Sequence, residues 1–304
     1  ASTQLKDIAL NTKGAMKLRT QAADLALDAL VLMKNESQIQ TWADEFVAAF
    51  PPTESKEYSK ISQKNILNQV ASLSKTDQNA AWTLLLKFNL KMADDKDIVT
   101  YYKNKISLSE KRHDFNSGMS AAQDLLNIKG LSADESDFAN GRLAFFAEMK
   151  LDFKTSLAAT QKLSPTVMKA EDKFLKLAML ADLSGTSSAQ YFDQFLKTSS
   201  DKDAKMMAAL EVVHRSAQPM KELEVQKKYF EGQNEVFAAE KFKYIWKTQD
   251  FKMMKKAAAE TAFQKTAAGA QLNKVLMIQD IKEMKTLVQN MKLDSKNQKT
   301  LGAS

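Results

Sequence analysis

The stretches EMKLDFKTSLAA at residues 148–159 and WKTQDFKMMKKAA at residues 246–258 are alike, because each leads from one helical pattern through Asp-Phe into another. Asp152 and Asp250 stand at these turns. An aspartate in that position can accept hydrogen bonds from the first free N–H groups of the next helix. The two aspartates are 98 residues apart, or about three repeats of a helix-turn-helix unit. The pair therefore predicts a fold in which such units recur along the chain.

The composition predicts an all-α protein. Only 8 Gly and 4 Pro occur among 304 residues, whereas Gly and Pro together make up about 12% of an average protein. Helix formers such as Ala, Lys, Leu, Met and Gln are frequent instead. The chain contains no Cys, which excludes disulfides, cysteine metal ligands and a thiol nucleophile.

Apolar residues recur at three- and four-residue spacings, which is the period of a helix. Helix-start signals such as Ser132, Ser164-Pro165 and Ser187 mark the breaks between these periodic segments. Ser132 and Ser187 each begin a capping-box pattern. Five helix pairs are predicted: 94–112 with 117–128, 133–149 with 152–163, 166–182 with 186–198, 201–216 with 219–231, and 233–247 with 250–266. The second helices start near 118, 152, 186, 219 and 250, and this period of about 33 residues is typical of an α-solenoid of antiparallel helix pairs.

The ends of the chain differ from this repeat, and three regions result. Residues 1–93 are predicted to form an N-terminal helical region, as irregular repeats or a cap, with helices at 3–34, 37–49, 55–73 and 76–92. Residues 94–268 form the repeats. Residues 269–304 form a C-terminal capping helix, 269–291, and a frayed tail from Lys292. The apolar stripe of the capping helix is Leu272, Val275, Leu276, Ile281, Met284, Leu287, Val288 and Met291.

Gly141, Ala144, Phe153 and Pro165 follow one another as small residues, an aromatic residue and a Pro after the second helix. Gly141 is expected to permit a close approach between helices. In this order the chain resembles tetratricopeptide-like repeats over about residues 94–266, although no unit carries the family's full signature and only one ends in Pro. The resemblance implies a right-handed superhelix of helical hairpins, with a concave face that the first helix of each pair lines and that binds a protein or peptide segment.

The sequence contains no pattern of an enzyme, metal or nucleotide site. His113 lies at a predicted turn and His214 near a predicted helix end, and neither has a second ligand at metal spacing. The glycines are isolated, whereas phosphate-binding loops need them clustered. We therefore expect a non-catalytic protein that uses no metal and no cofactor.

One alternative stays open, because a glycosidase needs only two carboxylates that can be distant in sequence. Lytic transglycosylases carry an α-superhelical domain beside a catalytic domain, and this chain resembles the superhelical part alone. The alternative is an accessory factor or enzyme associated with cell-wall glycan. Two separated carboxylates facing one groove would favour catalysis, and a groove lined by Lys, Asn and aromatic residues would favour binding.

The basic charge is confined to one end of the chain. Residues 226–300 contain 15 Lys, no Arg and 8 acidic residues, which accounts for the whole net charge of +7. This favours an acidic protein or peptide partner, or an anionic envelope polymer, and the lack of Arg argues against nucleic acid. In residues 239–260 lysines alternate with aromatic rings, most of which we expect in the core. The predicted ligand-binding residues are Lys205, Asn234, Lys241, Tyr244 and Lys247.

The sequence also carries an expectation about location. The chain begins Ala1-Ser2-Thr3 and lacks Cys, which is typical of a mature exported protein, although a chain trimmed at an expression tag would begin in the same way. We expect a periplasmic or secreted protein. No apolar stretch approaches the ~20 residues of a transmembrane helix.

Overall fold

The computed structural model describes residues 1–293, and within that range it contains helices and turns but no strand. The all-α prediction is therefore confirmed. The helices up to residue 161 are α1 (Ser2–Leu10), α2 (Met16–Leu32), α3 (Glu36–Ala49), α4 (Pro52–Leu73), α5 (Gln78–Leu85), α6 (Asp95–Lys111), α7 (Phe115–Leu126), α8 (Ala133–Met149) and α9 (Phe153–Gln161). Those that follow are α10 (Ala170–Leu183), α11 (Ala189–Thr198), α12 (Lys202–Arg215), α13 (Pro219–Gln226), α14 (Asn234–Thr248), α15 (Phe251–Ala258), α16 (Thr261–Gln264) and α17 (Ala267–Leu293).

The helices group into two compact units. Unit 1 consists of residues 1–169 and 180–186, and unit 2 of residues 170–179 and 187 onward. Within unit 1 consecutive helices pack on one another, as in α1 on α2, α3 on α4, and α6 through α9 in series. Within unit 2, α11, α12 and α13 pack in the same way, and α14 and α15 both contact α17. Consecutive packing is what a helical repeat requires. The predicted boundaries near residues 93 and 268 stay predictions.

The turn before an Asp-Phe pair occurs three times with the same backbone geometry. His113, Leu151 and Gln249 each adopt the left-handed conformation, with φ between 52° and 59°, directly before the Asp-Phe pairs at 114, 152 and 250. Each aspartate then accepts hydrogen bonds from N–H groups of the next helix. A left-handed residue ends one helix and a side-chain cap starts the next, so two helices can pack across a very short connection.

We predict that Asp152→Ala lowers the free energy of unfolding by about 1 kcal/mol at neutral pH, the usual contribution of an N-cap. Asp152 Oδ1 accepts the Thr155 N–H at 3.1 Å. Hydrogen bonds from the side chain and N–H of Thr155 lower the pKa of the Asp152 carboxyl. A lowered pKa in the folded state adds stability above the unfolded pKa of about 4, and that stability is lost as the pH falls through the folded pKa.

Asp152→Asn is the control for this prediction, because Asn caps a helix about as well but does not titrate. Urea unfolding at pH 7 should order the variants as wild type, Asn, then Ala. The difference between wild type and Asn should disappear as the pH falls below about 4. A wild-type advantage over Asn that is unchanged in acid would contradict this assignment.

Other predicted helix starts have mixed outcomes. Ser132 and Glu135 form the predicted capping box at the start of α8. The box predicted at Ser187 is wrong, since α11 starts at Ala189 and its N-cap Ser188 makes no side-chain cap bond. The start at Pro165 is also wrong, because α10 starts at Ala170 after a turn.

The predicted helix at 3–34 is two helices. The chain leaves the helical conformation at Asn11, and Gly14 follows in the turn. The side chain of Arg19 is buried in this region: its Nε donates to the Ala9 carbonyl at 2.9 Å, and its guanidinium lies over the Phe50 ring at 4.9 Å. The buried Arg19 therefore donates a hydrogen bond to a backbone carbonyl at the end of α1. The periodicity of apolar residues does not reveal this interaction.

The helix pairs vary in length along the chain. The second helices start at residues 115, 153, 189, 219 and 251, at intervals of 38, 36, 30 and 32 residues. The last pair also differs from its prediction, because the helix expected over 250–266 is divided at Ala259 and Glu260 into α15 and α16.

The terminal helix α17 buries only the first part of its predicted stripe. Leu272 and Leu276 are buried, whereas Ile281, Met284 and Leu287 are exposed. The predicted tail begins at Lys292, but α17 continues to Leu293. The rest of the tail and the side chains of Val288 and Met291 lie outside the described residues.

The close helix approach expected at Gly141 is found at Gly118 instead. A Cβ at Gly141 would meet only Leu163 Cδ2, at an ordinary 3.8 Å, so the expected close helix approach there is wrong. A Cβ at Gly118 in α7 would lie 2.4 Å from the ring of Phe146, which is fully buried on α8. Gly118 is thus the residue that permits close packing between α7 and α8.

Candidate functional site

A groove of about 420 Å³ lies in the basic end of the chain, wholly within unit 2. We call it the lysine-rimmed groove. Apolar residues contributed by the segment after α13, by α14 and by α16 form its floor: Phe230, Phe237, Ala238, Ala262 and Phe263. Polar and charged residues form its rim: Lys227, Lys228, Glu231, Asn234, Lys241 and Glu260. Its volume is within the range of small-ligand and side-chain pockets.

Local breaks in the helices create this groove. After α13 the chain continues as a short 3-10 helix, Lys227–Phe230, and turns at Gly232 with φ of 84° before α14 begins. On the other side, the break at Ala259 and Glu260 directs α16 away from the line of α15. Two continuous helices, as predicted over 219–231 and 250–266, would not leave this space.

The floor is aromatic and rigidly packed. Phe230 and Phe263 are almost completely buried, and Phe237 packs edge-on against Phe230 with a centroid distance of 5.5 Å. Phe263 also belongs to the core cluster of unit 2, with Ile245 and Met254. Because the core holds these rings, the apolar surface they offer is present before any ligand binds.

The rim carries two lysines that bind no carboxylate among the described residues. Lys227 Nζ lies 5.6 Å from the centroid of the Phe237 ring, and Lys228 Nζ lies 4.9 Å from the centroid of the Tyr229 ring. Both side chains are exposed. Their positive charge is therefore available beside an apolar floor.

Lys241 is a different kind of lysine. Its side chain is only 8% exposed, and its Nζ lies 2.6 Å from Glu260 Oε2 and 3.3 Å from Glu224 Oε1. These partners belong to α13 and to the break before α16, so the ammonium links both segments to α14. Two carboxylates already compensate its charge, so its ammonium is occupied within the protein.

The structure divides the five predicted site residues among three places. Asn234 and Lys241 line the lysine-rimmed groove. Tyr244 and Lys247 line a second, shallower depression with Gln218, Pro219 and Met220. Lys205 lies on α12, half-buried, and lines neither. The proposed ligand contacts of these five residues stay predictions.

The rings of residues 239–260 are mostly packed. Tyr244 is buried, and burial together with the nearby Glu240 raises the pKa of its hydroxyl. Phe242 and Phe251 pack against the core cluster of unit 2. Trp246 is 43% exposed and stacks on Phe242 at 6.1 Å, so it is the one ring of this stretch that offers a large exposed face.

Sequence reasoning missed Lys227, Lys228 and the three phenylalanines of the floor. The adjacent pairs Lys227-Lys228 and Tyr229-Phe230, followed by Gly232, were a usable signal. A Gly two residues after an aromatic pair indicates that the helix ends there and that its last side chains face a turn.

The described part of the chain has neither a metal-binding cluster nor a membrane-spanning helix. No group of three or more His, Asp or Glu side chains there could hold a metal ion. No helix within residues 1–293 is both long and apolar enough to cross a bilayer. His214 contacts Glu240 at 3.1 Å, and Lys243 lies 3.4 Å from both, as an exposed ionic cluster.

Comparison with protein-family models gives no match, and comparison with curated proteins gives none either. The site is therefore interpreted from its own geometry.

Proposed function

We propose that this protein is a non-catalytic scaffold of the tetratricopeptide-like class, with helix pairs arranged as an α-solenoid, and that it holds a segment of a protein or peptide partner. The observation that carries this proposal is the lysine-rimmed groove, where aromatic residues and Asn234 meet two lysines that have no carboxylate partner among the described residues. Such a lining favours binding over catalysis. Of the two carboxylates on its rim, Glu260 is engaged by Lys241.

The consecutive packing of helices within each unit supports the repeat architecture, because repeats of this kind bury their apolar faces against their neighbours. The basic end supports an acidic partner. The export expected from a cysteine-free composition remains part of the proposal, as does an anionic envelope polymer as an alternative ligand.

The proposal is tested by a pull-down from soluble and envelope extracts of the producing organism. The baits are wild type, Ala262→Trp, and the double variant Lys227→Glu/Lys228→Glu. Ala262 is exposed and lines the groove, so the added indole fills the groove without entering the core. Lys252→Glu/Lys256→Glu is the matched control, since both lysines are exposed and lie outside the groove.

We expect a protein that wild type and the control retain and that both groove variants lose, with direct binding then confirmed by titration of the purified partner. A partner retained equally by all four baits would place the site elsewhere. If none of them retains a protein while wild type sediments with purified wall glycan, the scaffold proposal is wrong and the glycan-associated alternative takes its place.

A further inference from the structure

We infer that the occupant of the lysine-rimmed groove is a peptide segment in which a large apolar side chain stands next to one or more carboxylates. This inference rests on the proposed function and specifies the chemistry of its partner. It follows from three properties of the groove, namely its size, the hydrophobicity of its floor and the uncompensated charge on its rim.

The size and the floor favour one bulky side chain. A volume of about 420 Å³ is larger than one aromatic side chain but too small for a folded element such as a second helix. Phe237 is half-buried and packs against the buried Phe230, so its ring is the main aromatic surface that the groove offers. Aromatic pairs at such distances add to the effect of burial. An inserted Phe, Trp or Leu side chain with a short stretch of its backbone fills this space.

The charge of the rim determines which charge the peptide should carry beside its apolar anchor. Lys227 and Lys228 bind no carboxylate among the described residues, whereas the ammonium of Lys241 is already bound by Glu224 and Glu260. Glu231 adds one negative charge to the rim. With Lys241 and Glu260 included, the rim carries three lysines against two glutamates, a net charge of +1. A carboxylate of the partner that pairs with Lys227 would lie near the Phe237 ring, because Lys227 Nζ is 5.6 Å from the centroid of that ring.

A basic peptide is disfavoured by the same geometry. It would face two unpaired lysines, and like charges brought together at an interface reduce affinity. A purely acidic peptide would leave the aromatic floor exposed to water. Only the combination of an apolar anchor with a carboxylate satisfies both parts of the groove.

The test is a selection of phage-displayed random peptides on immobilised wild type and, in parallel, on Ala262→Trp. Ala239→Trp serves as the matched control. Ala239, on α14, is exposed like Ala262 but does not line the groove. Circular dichroism checks that all three proteins have the same helix content. We expect wild type and Ala239→Trp to enrich peptides with Asp or Glu beside Trp, Phe or Leu, and Ala262→Trp to enrich none of them.

Affinity measurements on an enriched peptide then test each part of the inference. Lys227→Gln/Lys228→Gln should weaken binding about threefold or more, as expected for the loss of two exposed charge pairs. Raising the salt concentration should weaken binding to wild type but much less to this variant. Replacing the apolar anchor of the peptide by Ala should reduce affinity at least tenfold, because the anchor supplies most of the buried area.

Several outcomes would overturn the inference. Enriched peptides that are basic or lack an apolar anchor, or that bind Ala262→Trp equally well, would show that this chemistry is wrong while leaving the scaffold proposal intact. Enrichment of no peptide would overturn it as well, and the pull-down would then decide the scaffold proposal alone. Binding of dodecanoate or naphthoate in the groove, with no peptide bound, would replace the peptide by a free amphipathic acid.

Discussion

Gly118→Ala is expected to lower the free energy of unfolding by about 1–2 kcal/mol, although Ala is the better helix former. The new methyl group would lie 2.4 Å from the Phe146 ring, which packs against Phe115 and Phe145 and is fully buried. Overpacking of a close-packed core costs about 1–3 kcal/mol. The gain of about 0.5–1 kcal/mol from removing a helical Gly offsets only part of that cost.

Gly141→Ala is the matched control, because it makes the same change in the neighbouring helix α8. Its methyl group would make only an ordinary contact with Leu163, so this variant should be more stable than wild type by about 0.5–1 kcal/mol. Urea unfolding followed by circular dichroism measures both. Equal effects of the two substitutions would show that packing against Phe146 does not limit position 118.

A second variant locates the cause of the Gly118 effect. Phe146→Leu creates space at the contact, so its combination with Gly118→Ala should lose less stability than the two single effects added together. Residues in contact are expected to show such coupling. Strict additivity would argue that the methyl group clashes with something other than the ring.

Glu224→Gln/Glu260→Gln is expected to lower the free energy of unfolding by about 2 kcal/mol, because it leaves the buried ammonium of Lys241 without a counter-charge. Removing the partner of a buried charge costs about 3–5 kcal/mol. The expected value is smaller because a Gln side-chain oxygen still accepts a hydrogen bond, and because both glutamates are about half exposed (49% and 47%).

Lys241→Met tests whether the charge of Lys241 or the packing of its side chain contributes to stability. Apolar replacement of a buried ion pair is often neutral or stabilising, and the two glutamates that remain can be hydrated. We therefore expect Lys241→Met alone to have little effect, and to restore stability when added to the Glu224→Gln/Glu260→Gln background. Thermal unfolding of the four proteins gives the complete cycle. Loss of stability on adding Lys241→Met to that background would contradict this role.

The same variant bears on the groove. Lys241→Met leaves Glu260 on the rim without its ammonium partner, so this variant should bind an enriched acidic peptide less well than wild type does. When Lys241→Met is combined with Glu224→Gln/Glu260→Gln, binding should be about as strong as in wild type, whereas Lys227→Gln/Lys228→Gln should bind the peptide less well. Sequence reasoning singled out Lys241 because it lies on a basic helix. In the structure Lys241 is buried, and the exposed lysines on the rim are Lys227 and Lys228.

The sequence by itself determined the all-α class, the existence of most helices and the caps at Ser132, Asp152 and Asp250. These features depend on residues three or four positions apart, since helix propensity, apolar spacing and N-caps are local. The periodicity of apolar residues was also misleading: it joined α1 to α2 in spite of Asn11 and Gly14, and it joined α15 to α16 across Ala259 and Glu260, where no Gly or Pro marks the break.

Only the tertiary structure decided the site. Lys241 meets Glu224 and Glu260 from 17 and 19 residues away, and the groove joins Lys227 to Phe263 across two turns. The choice between Gly118 and Gly141 likewise depends on which ring lies opposite each glycine. Burial, ion pairing and close packing are properties of surfaces brought together by folding, so the spacing of residues along the chain does not contain them.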